Sequence, residues 1–196
     1  MWGRGQSGLV LRPGSDRLSA MNEPPFQFCP VCGGRLDERQ LKAGDPARLV
    51  CQSCGFVFYL DPKVAVGTII RTPDDRIVLV RRAIDPGYGK WVFPGGYVDR
   101  GEQLLAAARR EAREESGLEI ELHGLVDIYS YSGRAPIIIV YAASITSGVL
   151  TIDDESLEAR TFARDEIPWD DLAFRSTYEA LRAYVDRHWK PASSNV

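Results

Sequence analysis

Three glutamates carry the strongest chemical signal in the chain. Glu111, Glu114 and Glu115 stand at i, i+3 and i+4, so on a helix they share one face within a single turn. Followed backward at about 100° per residue, that face brings Glu111 and Glu115 into line with Leu104 and Ala108, apolar positions expected to point inward. The buried stripe of the helix thus turns into a carboxylate cluster over its last turn. A solvated acidic face would account for Arg110 beside Glu114, yet it would put like charges on the inward side. That arrangement is costly unless a cation neutralises it. All-oxygen ligands select hard ions, so a metal reading means Mg²⁺ or Mn²⁺. Helix geometry alone leaves both readings standing.

A second cluster is made of sulfur. The four cysteines of the chain form two knuckles, Cys29-Pro-Val-Cys32-Gly33 and Cys51-Gln-Ser-Cys54-Gly55, separated by eighteen residues. Four thiolates at this spacing suit tetrahedral Zn²⁺, and the glycine after each pair lets the backbone turn its amides toward sulfur. With all four ligands supplied by protein, no coordination position stays open and the site is expected to be structural. A segment of about 30 residues buries too little surface to fold unaided, and a metal supplies the missing stability. Disulfides are the competing reading, but the opening residues lack an apolar signal core, which points to a reducing, cytoplasmic setting.

These clusters need elements to hold them. Residues 1–25 read as an unstructured leader, 26–59 as the four-cysteine module, 60–190 as the main domain and 191–196 as a loose tail. In the main domain Val64–Ile70 and Ile77–Val80 read as strands around the turn residues Pro73-Asp74-Asp75. Ile120–Tyr131 and Ile137–Ile145 give two more strand runs. Gln103–Ser116 is rich in helix formers, with Gly117 placed to end it. Tyr178, Leu181, Ala183, Tyr184 and Val185 recur at helical spacing near the end. The expected class is α/β, a mixed sheet with helices against it. The formal net charge of -3 creates no global field for nucleic acid. No apolar run is long enough to span a membrane.

The residues from Gly96 onward resemble a known signature. Gly96, Glu102, Arg110, Glu111, Glu114, Glu115 and Gly117 match the Nudix box at every fixed position, Leu118 fits its final aliphatic class, and Ala112 is a small member of the first. The flanks Leu79-Val80-Arg81-Arg82 and Gly89-Lys90-Trp91-Val92-Phe93-Pro94-Gly95 are similar to the strand and loop that precede the box. The resemblance implies an α/β/α sandwich with mixed sheet. It implies Glu111, Glu114 and Glu115 as ligands of Mg²⁺ or Mn²⁺ on a diphosphate, with Arg110 and Glu102 as the pair that orients the segment. It also implies a base from a later loop. Glu158 is the first candidate, Glu155 the second, and Glu115 an alternative. Arg82 is a candidate phosphate contact, and Tyr129, Tyr131, Trp169 and Phe174 are candidate stacking partners for a base.

From about Phe28 to Tyr184 the chain resembles Nudix proteins that carry an N-terminal zinc ribbon. That likeness implies hydrolysis of FAD or ADP-ribose to AMP plus FMN or ribose 5-phosphate. NADH is an alternative, although the Ser-Gln-Pro-Trp-Pro-Phe-Pro-x-Ser signature of NADH pyrophosphatases is absent after the box. Damaged nucleoside triphosphates are another. A third reading, from a different class, makes the ribbon a nucleic-acid-binding module on an inert domain. Residues 29–54 carry four Arg/Lys against three Asp/Glu, a poor phosphate track. The expected partner is a small nucleotide rather than nucleic acid or membrane, and a homodimer is compatible with all of these readings.

Overall fold

The computed structural model describes residues 26–189; the leader over 1–25 and the tail over 191–196 lie outside them. The chain divides between Leu60 and Asp61 into two units, one residue beyond the boundary expected from the cysteines.

The first unit is a three-stranded antiparallel sheet, β1 (Leu36–Arg39), β2 (Arg48–Cys51) and β3 (Val57–Phe58), in that order. Leu36 pairs with Cys51, and Leu49 with Phe58. Its buried cluster is Cys29, Leu36, Leu49 and Cys51, with Phe58 packed against them. Gly33 and Gly55 both take positive φ, at 73° and 72°, and this lets the chain double back after each cysteine pair.

The second unit is a seven-stranded mixed sheet. Its strands are β4 (Lys63–Arg71), β5 (Ile77–Arg82), β6 (Trp91–Val92), β7 (Gly95–Tyr97), β8 (Leu118–Ser130), β9 (Pro136–Gly148) and β10 (Ser156–Phe162). The order is β10-β5-β4-β9-β8, with β6 beside β5 and β7 beside β4. The β4–β9 pair is parallel, while the other pairs are antiparallel. Alternation along β4 feeds two cores. Ile69 joins a cluster with Leu181, Tyr184 and Val185 of α2 (Arg175–His188), and Ile70 joins one with Ala112 of α1 (Leu104–Ser116). Two helices on opposite faces of one sheet make the expected α/β/α sandwich.

Helix α1 lies close to the sheet because its inward positions are small. Ala107, Ala108 and Ala112 are fully buried, with Val66 against the first two. Leu104 departs from expectation, being 37 % exposed. It opens the first turn of α1, while the buried stripe is carried by the alanines from 107 onward. Gly117 caps the helix in the left-handed region at φ 69°, its N–H donating to the carbonyl of Arg113 at 2.8 Å. A Cβ there would run into Thr151 and the carbonyl of Val149.

Candidate active site and cysteine cluster

The carboxylates of α1 meet the sheet where β7 pairs with β4. Gly95 and Gly96 lie opposite Gly67 and Val66. A side chain at Gly95 would strike the backbone of Val66 and Gly67, and a Cβ at Gly96 would fall 2.5 Å from the Glu111 carboxylate. Gly95 is therefore required by close approach to backbone, and Gly96, which opens the box, leaves the Glu111 carboxylate its room. The backbone N–H of Gly95 donates to Glu115 Oε2 at 2.7 Å.

Arg110 organises the rest. Its Nε and Nη2 grip both oxygens of Glu102 at 2.9 and 2.8 Å. Its Nη1 donates to Glu111 at 2.7 Å and to Glu114 at 3.1 Å, and Nη2 also reaches the carbonyl of Tyr97 at 3.2 Å. Glu102 accepts in turn from the Asp99 N–H at 3.1 Å, which fixes the loop before the helix. The Arg110 guanidinium holds the Glu102 carboxyl down at about 2. Glu102 and the hydrogen bonds to Glu111 and Glu114 in turn hold Arg110 protonated. A bidentate arginine–carboxylate pair of this kind supplies geometric specificity as well as energy.

Glu111 and Glu115 behave differently from Glu102. Burial pushes Glu111 up despite the Arg110 hydrogen bond. Burial pushes Glu115 up to about 8, with the Gly95 N–H opposing and the charges of Glu111 and Asp153 adding to the rise. The two are crowded together, and Glu115 has no ion pair among the described residues, a situation that suits a bound hard cation. Glu114 is the exposed member, its side chain half accessible.

The structure brings some of the other expected residues to this place and takes others away. Arg82 acts on Glu115 electrostatically, donates from Nε to the Pro86 carbonyl at 2.9 Å, and lies 5.1 Å over the ring of Phe174. Tyr129 is instead 9 % exposed in the core beneath α2, and its hydroxyl has no hydrogen-bond partner among the described residues. The expectation of a substrate contact there is corrected, because α2 covers that face of β8. Tyr131 is half-buried, its hydroxyl donating to Glu179 at 2.8 Å. Trp169 packs edge-on against Tyr178 at 5.5 Å.

Glu158 lies on β10 opposite Arg81, paired with Arg160 at 3.8 Å. No contact joins it to the α1 carboxylates among the described residues. The loop acid whose charge reaches Glu115 is Asp153, which sequence reasoning passed over. That loop is pinned at both ends. Thr151 N–H donates to the Ser116 carbonyl at 3.0 Å, and Ala83 N–H donates to the Glu155 carbonyl at 2.6 Å. Asp153 thus stands midway between the residues that follow Glu115 and Arg82. Its only sequence signal was membership of the Asp153-Asp154-Glu155 run.

In the first unit the sulfurs of Cys29, Cys32, Cys51 and Cys54 all lie within 4.8 Å of one another. Cys29–Cys54 and Cys32–Cys51 are 3.8 and 3.4 Å apart. A tetrahedron with Zn–S bonds of about 2.3 Å has edges of about 3.8 Å, so the donor set fits such an ion. The Cys54 N–H reaches Cys51 Sγ at 3.5 Å and helps lower that thiol to about 6. Cys54, despite a backbone N–H from Phe56, is pushed up to about 12 by the neighbouring sulfur of Cys32.

Comparison with known proteins agrees with this geometry. Residues 61–184 match the family model described as NUDIX domain, and residues 27–60 match the zinc-ribbon model described as Nudix N-terminal. An ADP-ribose pyrophosphatase of Methanocaldococcus jannaschii is 37% identical over 114 residues, 56% of this chain and 67% of that protein. An NAD-capped RNA hydrolase of Photobacterium profundum is 26% identical over 137 residues, 70% of this chain but about half, 49%, of its own length. The crystal structure of a NUDIX hydrolase from Nitrosomonas europaea superposes with a TM-score of 0.79 at 34% identity, covering 85% of this chain and 96% of the other.

Proposed function

The chain belongs to the Nudix hydrolase family, and from that premise we propose that it hydrolyses the phosphoanhydride of a nucleoside diphosphate derivative, FAD or ADP-ribose. The products are AMP plus FMN or AMP plus ribose 5-phosphate. The observation that carries this reading is the single guanidinium of Arg110. It holds Glu102, Glu111 and Glu114 together while Gly95 N–H holds Glu115, so four carboxylates are presented from one loop–helix segment. The 37% identical relative named ADP-ribose pyrophosphatase supports the substrate class.

In this reading Glu111, Glu114 and Glu115 hold Mg²⁺ or Mn²⁺, and the ions, when bound, withdraw charge from the phosphate oxygens and acidify a water. Arg110 and Glu102 hold the carboxylates in register. Arg82, beside the cluster and stacked on Phe174, meets the phosphate remote from the attacked phosphorus, with Phe174 beside the base. Water oxygen forms the new bond to phosphorus, and the bridging oxygen leaves with the electron pair. The proton passes to a carboxylate of the segment before or within β10. Glu158 is the acceptor assigned from the sequence; the field of Asp153 at Glu115 favours Asp153 as a second assignment. In the first unit the four cysteines hold one structural Zn²⁺.

A panel of FAD, ADP-ribose, NADH and nucleoside triphosphates with Mg²⁺ or Mn²⁺, its products resolved by chromatography, tests the reading. A dinucleotide is expected to lead in kcat/KM. A triphosphate ahead by about tenfold, or about 1.4 kcal/mol of transition-state preference, would overturn the substrate assignment. Comparing Glu158→Gln with Asp153→Asn on the winning substrate then decides the proton acceptor.

A further inference from the structure

The small unit displays more aromatic surface than its core uses. Among the described aromatics of this unit, Phe58 alone packs against the buried cluster. Phe26 and Phe56 flank it, with centroids 4.9 and 6.4 Å away, and are 47 % and 38 % exposed. Phe28 and Tyr59 are 59 % and 57 % exposed and take no part in the buried cluster. Exposed rings gathered on so small a unit mark a surface that meets something else.

Two of these rings carry arginines. The Arg35 guanidinium lies 5.8 Å from the Phe28 ring centre, and that of Arg48 lies 5.4 Å from Tyr59. Phe28 and Arg35 face each other across an antiparallel bridge, so the pairing is set by backbone register. Neither arginine is ion-paired to a carboxylate among the described residues. Asp37, by contrast, is already engaged, by Arg39 at 3.6 Å and by the Gln52 amide at 2.7 Å. With Asp37 and Arg39 set against each other, Arg35 and Arg48 remain beside their rings with their edge N–H groups available.

We infer that this aromatic–arginine face of the ribbon binds single-stranded nucleic acid. Bases stack on Phe28 and Tyr59, and the edge N–H groups of Arg35 and Arg48 meet phosphates. A second copy of the chain fits less well. A two-fold contact sets the same patch against itself and would bring unpaired arginines together. A duplex hides the base faces that the rings require. This inference is independent of the hydrolytic reading.

The test uses the full zinc-loaded chain and a fluorescein-labelled single-stranded RNA of about ten nucleotides, titrated by anisotropy at low salt. Saturable binding is expected, with a duplex of the same sequence competing poorly. Phe28→Ala with Tyr59→Ala should weaken binding about tenfold or more. Arg35→Gln with Arg48→Gln should weaken it comparably and flatten the salt dependence by about 1 to 1.5 in log–log slope. Zinc content and hydrolysis of a free nucleotide should be unchanged in every variant. Should the ring variant lose zinc, the arginine pair decides, since neither arginine contributes to the core. The inference is overturned by absence of saturable binding or by variants that bind like the parent chain. A dimer broken by the ring substitutions, with no RNA bound, also overturns it. A chain that binds RNA but hydrolyses nothing would sink the enzyme reading and leave this one intact.

Discussion

The four-cysteine unit and the carboxylate helix pose the same problem and answer it differently. Each gathers acidic ligands closer than their charges favour. In the ribbon the four sulfurs are mutually within 4.8 Å, and two members of the buried cluster, Cys29 and Cys51, belong to that sulfur set. Removing a zinc ion held there is expected to remove the structure. On α1 the carboxylates are steadied by Arg110 and by Gly95 N–H, above a sheet whose two cores are complete without them. Removing a divalent ion held there is expected to remove only the chemistry. Where protein groups fill every position the metal supplies stability, and where the fold already stands the metal stays exchangeable and open to substrate.

The largest effect should fall on the ribbon. Cys51→Ser is expected to lose the zinc and with it folding free energy on the order of 10 kcal/mol for that unit. Hydrogen exchange should then show protection vanishing over residues 26–60 and persisting from Asp61 onward. Comparable protection in both halves, or a parent chain that contains no zinc by elemental analysis, would erase the proposed contrast. On the helix the loss should be catalytic. Glu114→Gln and Glu115→Gln keep shape and remove charge, so each is expected to lower turnover at least ~100-fold with the circular-dichroism spectrum unchanged. Near-parental rates at saturating Mg²⁺ would show that these carboxylates do not hold the ions.

Much of this division was legible in the residues. Both clusters announce themselves because their ligands sit at fixed short spacings, two knuckles and one helical turn, where local geometry alone brings the groups together. Gly117 was legible for the same reason, as the residue placed to end the helix, whereas Gly96 came only with the resemblance to the box. What escaped depends on distant partners. The Gly95 N–H on Glu115 needs β7 pressed against α1. Asp153 needs a loop tied to Ser116 and Ala83. The meeting of Arg82 with Phe174 spans 92 positions that no periodicity connects. Tyr129 was misjudged because alternation shows that a strand has two faces and leaves open which one a helix will cover. Leu104 was misjudged because the apolar stripe of α1 begins at its alanines.

A smaller effect would sharpen the comparison on the helix side. Arg110→Lys keeps the charge but replaces five directed contacts with a single ammonium. The Glu102 brace should loosen while the fold persists. The expected result is about a tenfold fall in kcat and a raised Mg²⁺ requirement, because a point charge cannot hold Glu102 by both oxygens while steadying Glu111 and Glu114. Unchanged kcat with a raised KM would instead place Arg110 on the substrate.

The smallest effect concerns the protein without its divalent ion, and its sign separates the two acidic environments on α1 and its loop. Glu115 is pushed up to about 8 by burial, against 4.5 for the same group in an unfolded chain. The folded state then holds that proton more tightly, so its contribution is present below pH 4.5 and is lost as the pH rises toward 8. Glu111 is shifted in the same direction. Glu102, held at about 2 by Arg110, runs the other way, its support present above 4.5 and lost as the pH falls toward 2. The metal-free chain should therefore lose stability between pH 5 and pH 8.5, by about 1–3 kcal/mol for Glu115 after allowing for partial solvent access. Glu115→Gln cannot ionise and should flatten that slope. Urea midpoints for both proteins at the two pH values measure the difference, and added Mg²⁺ should restore the parent at pH 8.5 and leave the variant nearly unmoved. Equal slopes in the two proteins would show that the helix carboxylates are not crowded in the free state. The contrast with the ribbon would then rest on coordination number alone.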